Sequence, residues 1–315
     1  MQNNRCLYCY EPCGEAQEFH EKCSREFFGT PRAPVLEYSL EQMDELAQKV
    51  VDQRIAVPGV QAKLSMSLVR AVTTNEASRL TIVGALGGQY IFKPPSIQFP
   101  EMPQNEHVTM RMAEAFGIRV VPSSLIRLAS GELSYMTKRI DRTTDGGKVH
   151  MIDMFQITEA ADKYRGSIEK VGKAIDRFSS NTLLDKGYFF DLVLFSFLTG
   201  NSDMHLKNFS MIEGRSGWGL APAYDLLNVW ILFPDDTEDT ALTLQGKKKK
   251  LKRAHFMHLG KELELTDRQV QRAFTRMTEK KPVAMEWIEK SFLSEEMKRQ
   301  YKEVLEKKYA QIGIG

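Results

Sequence analysis

A strongly apolar stretch, Tyr188 to Leu198, broken only by Asp191 and Ser196, runs into a polar segment carrying Asp203, His205, Lys207 and Asn208, with Asp225 soon after. That juxtaposition limits the fold more than any other feature of the chain. So apolar a stretch has to be buried, and its length suits a helix. A buried helix that ends in charged residues delivers them to one fixed place. Asp203, Asn208 and Asp225 offer hard oxygen atoms of the kind that hold a divalent cation. One of the carboxylates can also take a proton from an attacking hydroxyl.

Protein kinases use this order of aspartate, asparagine and aspartate for phosphoryl transfer. The interval from Asp203 to Asn208 is a weak signal alone, and its place behind the apolar stretch strengthens it. The first half of the chain supplies further parts. Leu64 to Leu68 alternates as a strand, and Leu80 to Val83 and Gln89 to Phe92 read as two more. Lys93 sits at the end of the last of these, and Asn105-Glu106 opens a helix stopped by Gly117. A strand lysine followed by a helix glutamate is the order of the kinase lysine–glutamate pair. Val120-Val121, Leu125 to Leu128 and Ser134 to Arg139 are expected to complete a mixed sheet. His150 to Phe155 joins it to a helical half with helices at 182–198, 266–278, 283–292 and 294–311.

All four cysteines lie near the start of the chain. Cys6-x2-Cys9-x10-His20-x2-Cys23 has the paired spacing of a structural zinc site. Cys13 is left over and could replace Cys9; reduced thiols packed as small apolar groups are the competing reading. Thr30-Pro31-Arg32-Ala33-Pro34 punctuates the end of this module, and Ser39-Leu40-Glu41-Gln42 opens a helix with a capping-box pattern, running to about Asp52. A net charge of +2 over 315 residues gives no support for a whole-surface nucleic-acid binder. No apolar run is long enough to span a bilayer and the start lacks a signal-peptide core, so the expected compartment is the cytoplasm, with no membrane partner.

Several separate motifs then converge. Val57-Pro58-Gly59-Val60-Gln61-x-Lys63, Ile91-Phe92-Lys93-Pro94, Asn105-Glu106, Lys138-Arg139-Ile140-Asp141-Arg142, Gly200-Asn201-Ser202-Asp203-x-His205-x-Lys207-Asn208-Phe209-Ser210 and Tyr224-Asp225 together resemble the HipA family. These are bacterial serine/threonine kinases, the toxin halves of toxin–antitoxin operons. The resemblance runs from about residue 50 to the end. The cysteine module resembles that of short members, whose missing first subdomain is a separate small protein.

The resemblance implies an α+β, two-lobed, protein-kinase-like fold, with residues 1–30 as a zinc-binding module, 31–150 as a β-rich N-lobe and 151–315 as a helical C-lobe, ATP lying between the lobes. It implies Asp203 as catalytic base, Asn208 and Asp225 as Mg2+ ligands, and Lys93 on the α/β phosphates, held by Glu106. Backbone N–H groups of Pro58, Gly59, Val60, Gln61, Ala62 and Lys63 would face the phosphates, although Pro58 itself has none. His205 and Lys207 would steady the catalytic loop or the γ-phosphate, backbone around Met151 to Asp153 would take the adenine edge, and Tyr224 would pack beneath Asp225. Implied partners are a protein substrate such as an aminoacyl-tRNA synthetase or another translation factor, an antitoxin, and a separate protein like the missing subdomain. DNA is met only through the antitoxin.

The chain departs from the family where members often carry a serine whose autophosphorylation silences the kinase. Ala56 and Pro58 stand there, and neither has a hydroxyl; Ser65 and Ser67, on the following strand, read as surface or packing residues. The basic run Lys247 to Arg253 and the acidic run Asp235 to Asp239 read as an exposed, mobile segment. Two other classes compete with a kinase. One is a nucleotide-binding pseudokinase within a repressor complex, opposed by the presence of Lys93, Asp203, Asn208 and Asp225. The other is a zinc-ribbon nucleic-acid adaptor, which rests on residues 6–23 alone.

Overall fold

In this computed structural model, residues 4–15, 17–43, 45–46, 63–69, 78–83, 87–143 and 145–314 are described. The chain divides into two compact units. The first comprises Met1–His107, Val121–Gly147 and Lys290–Phe292; the second comprises Val108–Val120, Lys148–Glu289 and Leu293–Gly315.

The first unit is built on five strands: β1 (Leu64–Val69), β2 (Arg79–Val83), β3 (Tyr90–Lys93), β4 (Ser123–Arg127) and β5 (Leu133–Lys138). Their order is β2-β1-β3-β5-β4, and every pair is antiparallel, not mixed as expected. The chain crosses from β3 to β4 through a helix, but β4 and β5 then form a hairpin, and it is β5 that returns beside β3. Period-two alternation works as the sequence suggests in β1, where Leu64 and Met66 are buried and Ser65 and Ser67 are not. Helix α1 (Glu21–Phe28) lies in the amino-terminal module and ends at Gly29, whose φ of 73° provides the left-handed stop. Helix α2 (Met102–Ala115) begins three residues earlier than Asn105. The expected capping box is present, with Ser39 N–H on Gln42 Oε1 at 2.9 Å and Gln42 N–H on Ser39 Oγ at 3.3 Å. The helix continues through the described residues to 46, and its expected end near Asp52 falls outside them.

The second unit is mainly helical: α3 (Met154–Ile157), α4 (Ile168–Phe178), α5 (Thr182–Leu198), α6 (Arg253–Glu262), α7 (Asp267–Lys290) and α8 (Glu295–Ile312). Helix α5 is its centre. Phe189, Phe190, Leu194, Phe195, Phe197 and Leu198 are all buried, each worth about 1.5–3 kcal/mol of transfer free energy. A small antiparallel sheet, β6 (Met151–Asp153), β7 (Ser210–Gly214) and β8 (Gly217–Leu220), brackets the polar loop in sequence. The β7–β8 hairpin and helices α4 and α6 were not expected, although Ser167 caps α4 and its Ile168, Val171 and Ile175 keep helical spacing.

Two expectations are overturned here. Pro282 does not divide α7, which runs through it with Met277, Ala284 and Ile288 buried on the core side. Packing on both flanks therefore outweighs the roughly 3 kcal/mol that an internal proline costs a helix. The acidic segment is tied down at its far end, while Asp235 and Thr237 are exposed as expected. Asp239 is 3% exposed, pairs with Lys308, and accepts the backbone N–H of Leu251 at 2.9 Å. Among the described residues no helix is long and apolar enough to cross a membrane.

Candidate active site and metal centre

In the second unit, α5 ends at Thr199 and the chain turns at Gly200. Gly200 has a φ of 70°, and a Cβ there would lie 2.7 Å from Val304 Cγ1 and 2.9 Å from Asn228 Oδ1. Conformation and space both demand glycine at this corner. The loop then winds on its own backbone, His205 N–H to Asp203 O at 2.8 Å and Asn208 N–H to His205 O at 2.9 Å. Leu206 to Asn208 form one 3-10 turn, with Asn208 only 5% exposed. Asp225 holds a φ of 56°, a left-handed conformation that costs a non-glycine residue about 1 kcal/mol or more.

Burial raises the Asp203 carboxyl above its ordinary pKa. A hydrogen bond from Tyr164 and the Lys163 charge oppose that shift, and the Asp225 and Asp236 carboxylates add to it. The same environment, burial first and then the Asp203 charge, pushes the Tyr164 hydroxyl up to about 12. Asp203, Asp225 and Asp236 are thus near enough to repel one another, and carboxylate oxygens of this kind are hard donors. His205 meets Tyr164 edge-on at 5.2 Å, and Lys207 Nζ lies 4.8 Å from the Phe155 ring centroid.

Tyr164, Lys163 and Tyr224 are the residues whose part in this loop sequence reasoning missed or undervalued. Tyr224 does more than pack. Its hydroxyl donates to the Lys207 carbonyl at 2.9 Å and lies 2.5 Å from Ser210 Oγ, so it props the loop from below. Nothing in local spacing announces Tyr164, because its link to Asp203 exists only once the chain has folded.

In the first unit, Lys93 Nζ and Glu106 Oε1 are 2.6 Å apart, with side chains 4% and 1% exposed. Register explains half of this pair: Lys93 is opposite Tyr135 in the β3–β5 ladder, and its ammonium lies 5.2 Å from the Tyr135 ring centroid. The helix that begins at Met102 supplies the other half. A buried pair like this survives only when both charges are well met.

The remaining predicted residues are dispersed. Pro58, Gly59, Val60, Gln61 and Ala62 lie outside the described residues, and Lys63 is exposed just ahead of β1. Met151 and Asp153 are in β6, an edge strand, so part of their backbone faces away from β7. The Asp153 carboxylate is used as a helix cap, accepting Gln156 N–H at 2.9 Å.

The cysteine module forms one cluster. The ligand atoms of Cys6, Cys9, His20 and Cys23 all lie within 4.8 Å of one another. His20 Nδ1 is 3.4 Å from Cys9 Sγ and 3.7 Å from Cys23 Sγ. A tetrahedral zinc ion separates its sulfur and nitrogen ligands by about 3.5 Å, so the donors fit. His20 Nε2 is 2.9 Å from the Pro12 carbonyl, which fixes the tautomer that leaves Nδ1 for a metal. A hydrogen bond from Cys9 holds Cys6 down at about 4, and the same bond, with burial, holds Cys9 up. Burial also raises Cys23 to about 11. Cys13 stays outside the cluster.

Comparison with known proteins agrees with this set of parts. The HipA-like C-terminal domain family matches residues 55–285. The chain is 32% identical over 235 residues to the Sinorhizobium fredii protein named "Putative kinase Y4dM", covering 69% of this chain and 56% of that one. It is 26% identical over 215 residues to the serine/threonine-protein kinase toxin HipA of Shewanella oneidensis, covering 62% of this chain and 47% of that one. The chain thus spans about half the length of the curated relatives it matches. Among solved structures, the Shewanella oneidensis complex of HipA, HipB and operator DNA aligns with a TM-score of 0.67 at 20% identity, over 87% of this chain and 71% of that one. The Helicobacter pylori proinflammatory kinase CtkA aligns with a TM-score of 0.53 at 15% identity, over 71% and 87%. Those structural likenesses establish an α+β, kinase-like fold. Fold, motif order and the match over most of its length make this chain a member of the HipA family.

Proposed function

We propose that the chain is a Mg-ATP-dependent protein serine/threonine kinase of HipA type, the toxin component of a toxin–antitoxin pair. The observation that carries this reading is the setting of Asp203: a half-buried carboxylate beside other acidic groups and near the Tyr164 hydroxyl, on a loop pinned by its own backbone. Asp203 accepts the proton of a substrate hydroxyl as that oxygen bonds to the γ-phosphorus. The bond from γ-phosphorus to the β–γ bridging oxygen breaks, and ADP leaves with that electron pair. Asp203 then returns its proton to water. Asn208 and Asp225 hold Mg2+, which, when bound, neutralises charge on the phosphate oxygens. Lys93, kept in place by Glu106, supplies positive charge to the α/β phosphates. Tyr164 orients the Asp203 carboxylate, and Tyr224 fixes the height of the loop through the Lys207 carbonyl.

The proposed partners are an antitoxin of the HipB kind, through which the chain meets DNA, and a small protein standing in for a missing first subdomain. The proposed substrate is a translation-related protein, such as an aminoacyl-tRNA synthetase. Residues 1–30 act as a zinc-binding module. The decisive assay is transfer from radiolabelled ATP to bacterial lysate proteins, with Mg2+ and with EDTA. Mg2+-dependent labelling that vanishes in Asp203→Asn is the expected result. Nucleotide binding with no transfer under any condition would instead identify a pseudokinase.

A further inference from the structure

We infer that the Cys/His cluster is a metal-dependent brace for Lys93 and Glu106, with Tyr10 as the positioning residue that connects them. This inference rests on the kinase reading only for the consequence it has on ATP. Tyr10 directly follows Cys9 and closes the metal-binding turn, its N–H on the Cys6 carbonyl at 2.9 Å. Its φ is 66°, a conformation an aromatic residue rarely adopts unless its surroundings enforce it. Cys6 and Cys9 sharing one ion would enforce it.

That turn sends a fully buried side chain across the first unit. Tyr10 Oη is 2.8 Å from His107 Nδ1, and its ring meets those of His107 at 5.2 Å and Phe292 at 5.1 Å. His107 Nε2 faces the Ser123 carbonyl at 3.3 Å, so Nε2 carries the proton and Nδ1 accepts from Tyr10. His107 adjoins Glu106 on α2, and its ring lies 6.4 Å from that of Tyr135, the ring beneath Lys93. His107 therefore adjoins Glu106 along the helix and reaches Lys93 through the Tyr135 ring.

A second strut leaves from the other end of the cluster. Helix α1, which carries Cys23, sets Phe27 5.7 Å and Phe28 6.2 Å from the Tyr90 ring. Tyr90 opens the strand that ends in Lys93. Lys138, opposite Tyr90 in the ladder, donates to the Glu26 carbonyl at 3.0 Å. A metal that orders residues 6–23 thus loads both the strand of Lys93 and the helix of Glu106.

The test uses the full chain, with zinc counted by elemental analysis. Chelation should accelerate amide exchange in the segments of Tyr90–Lys93 and Met102–His107, and zinc should restore protection. Mg-ATP affinity should fall on chelation and return with zinc. Tyr10→Phe keeps the ring and removes the hydroxyl; it should still bind one zinc per chain and bind Mg-ATP about fivefold more weakly. In a Glu106→Gln background the same change should add little, as expected of coupled groups. Exchange rates unchanged by chelation, or penalties that simply multiply in the double variant, would overturn the brace. A wild-type chain that protects these segments with zinc yet binds no nucleotide would uphold the brace and sink the kinase reading instead.

Discussion

The two charged constellations of this molecule are built on opposite principles. Lys93 and Glu106 form a closed account: one cation, one anion, 2.6 Å apart and almost wholly buried. The Asp203 loop leaves its sum open, with burial and the neighbouring Asp225 and Asp236 carboxylates all disfavouring the Asp203 charge. Asp225 adds a left-handed backbone, and the buried Asn201 amide has neither oxygen nor nitrogen hydrogen-bonded. Carboxylate repulsion only partly offset by Tyr164 and Lys163, together with backbone strain, is the pattern of a place shaped for something that binds there. The first site is expected to matter for stability as well as for nucleotide binding, the second chiefly for chemistry.

The sharpest way to break that contrast is Asp203→Asn. Phosphotransfer should fall by about 10²–10⁴-fold, the usual contribution of a positioned base. Thermal stability should hold or rise, because a repelled carboxylate has been removed. Wild-type turnover, or a collapsed fold, would erase the distinction between the two sites. Lys93→Met comes next and should act in the opposite sense. Leaving Glu106 buried without its cation should cost about 3–5 kcal/mol in denaturant unfolding. Adding Glu106→Leu should recover much of that loss, whereas a purely functional pair would show no such rescue.

The pH dependence sharpens the same contrast. In the proposed reaction Asp203 works as the carboxylate; its pKa is raised, so activity should be full above that value. Activity should be lost as pH falls through it, at a higher pH than an ordinary carboxylate would give. Because the folded state holds this proton more tightly than the unfolded chain, stability from this group should increase as pH falls through the raised pKa toward the unfolded range. A stability–pH curve for Asp203→Asn should lack that increment. The smallest expected effect belongs to Tyr224→Phe. Loss of the bond to the Lys207 carbonyl should cost about 1 kcal/mol and a severalfold drop in turnover, with nucleotide affinity retained.

Legibility followed the distance along the chain over which a feature is decided. The apolar helix α5, the alternation of β1, the Ser39–Gln42 capping box and the Cys6–Cys9–His20–Cys23 spacing are local patterns, and each has its structural counterpart. The α4 helix was missed, although the Ser167 cap and the spacing of Ile168, Val171 and Ile175 mark it locally. The break expected between 278 and 283 is absent because Met277, Ala284 and Ile288 pack on both sides of Pro282. Asp239 misled because a run of charges reads as solvated until Lys308 is known to lie beside it.

By itself, then, the order of residues determined which groups could do chemistry here: three oxygen-bearing side chains behind a buried helix, a strand lysine, a helix glutamate, and three thiols and an imidazole at paired intervals. Covalent spacing and helical or strand periodicity suffice for that, since both act within a few residues. Only the tertiary structure decided which of those groups meet. Lys93 meets Glu106 of α2 and lies against Tyr135 because β5 returns beside β3. Tyr164 finds Asp203, and Tyr10 finds His107, across stretches whose closure depends on burial of the whole core. Such contacts are selected by packing, which sums over the entire chain and leaves no mark in any short segment of it.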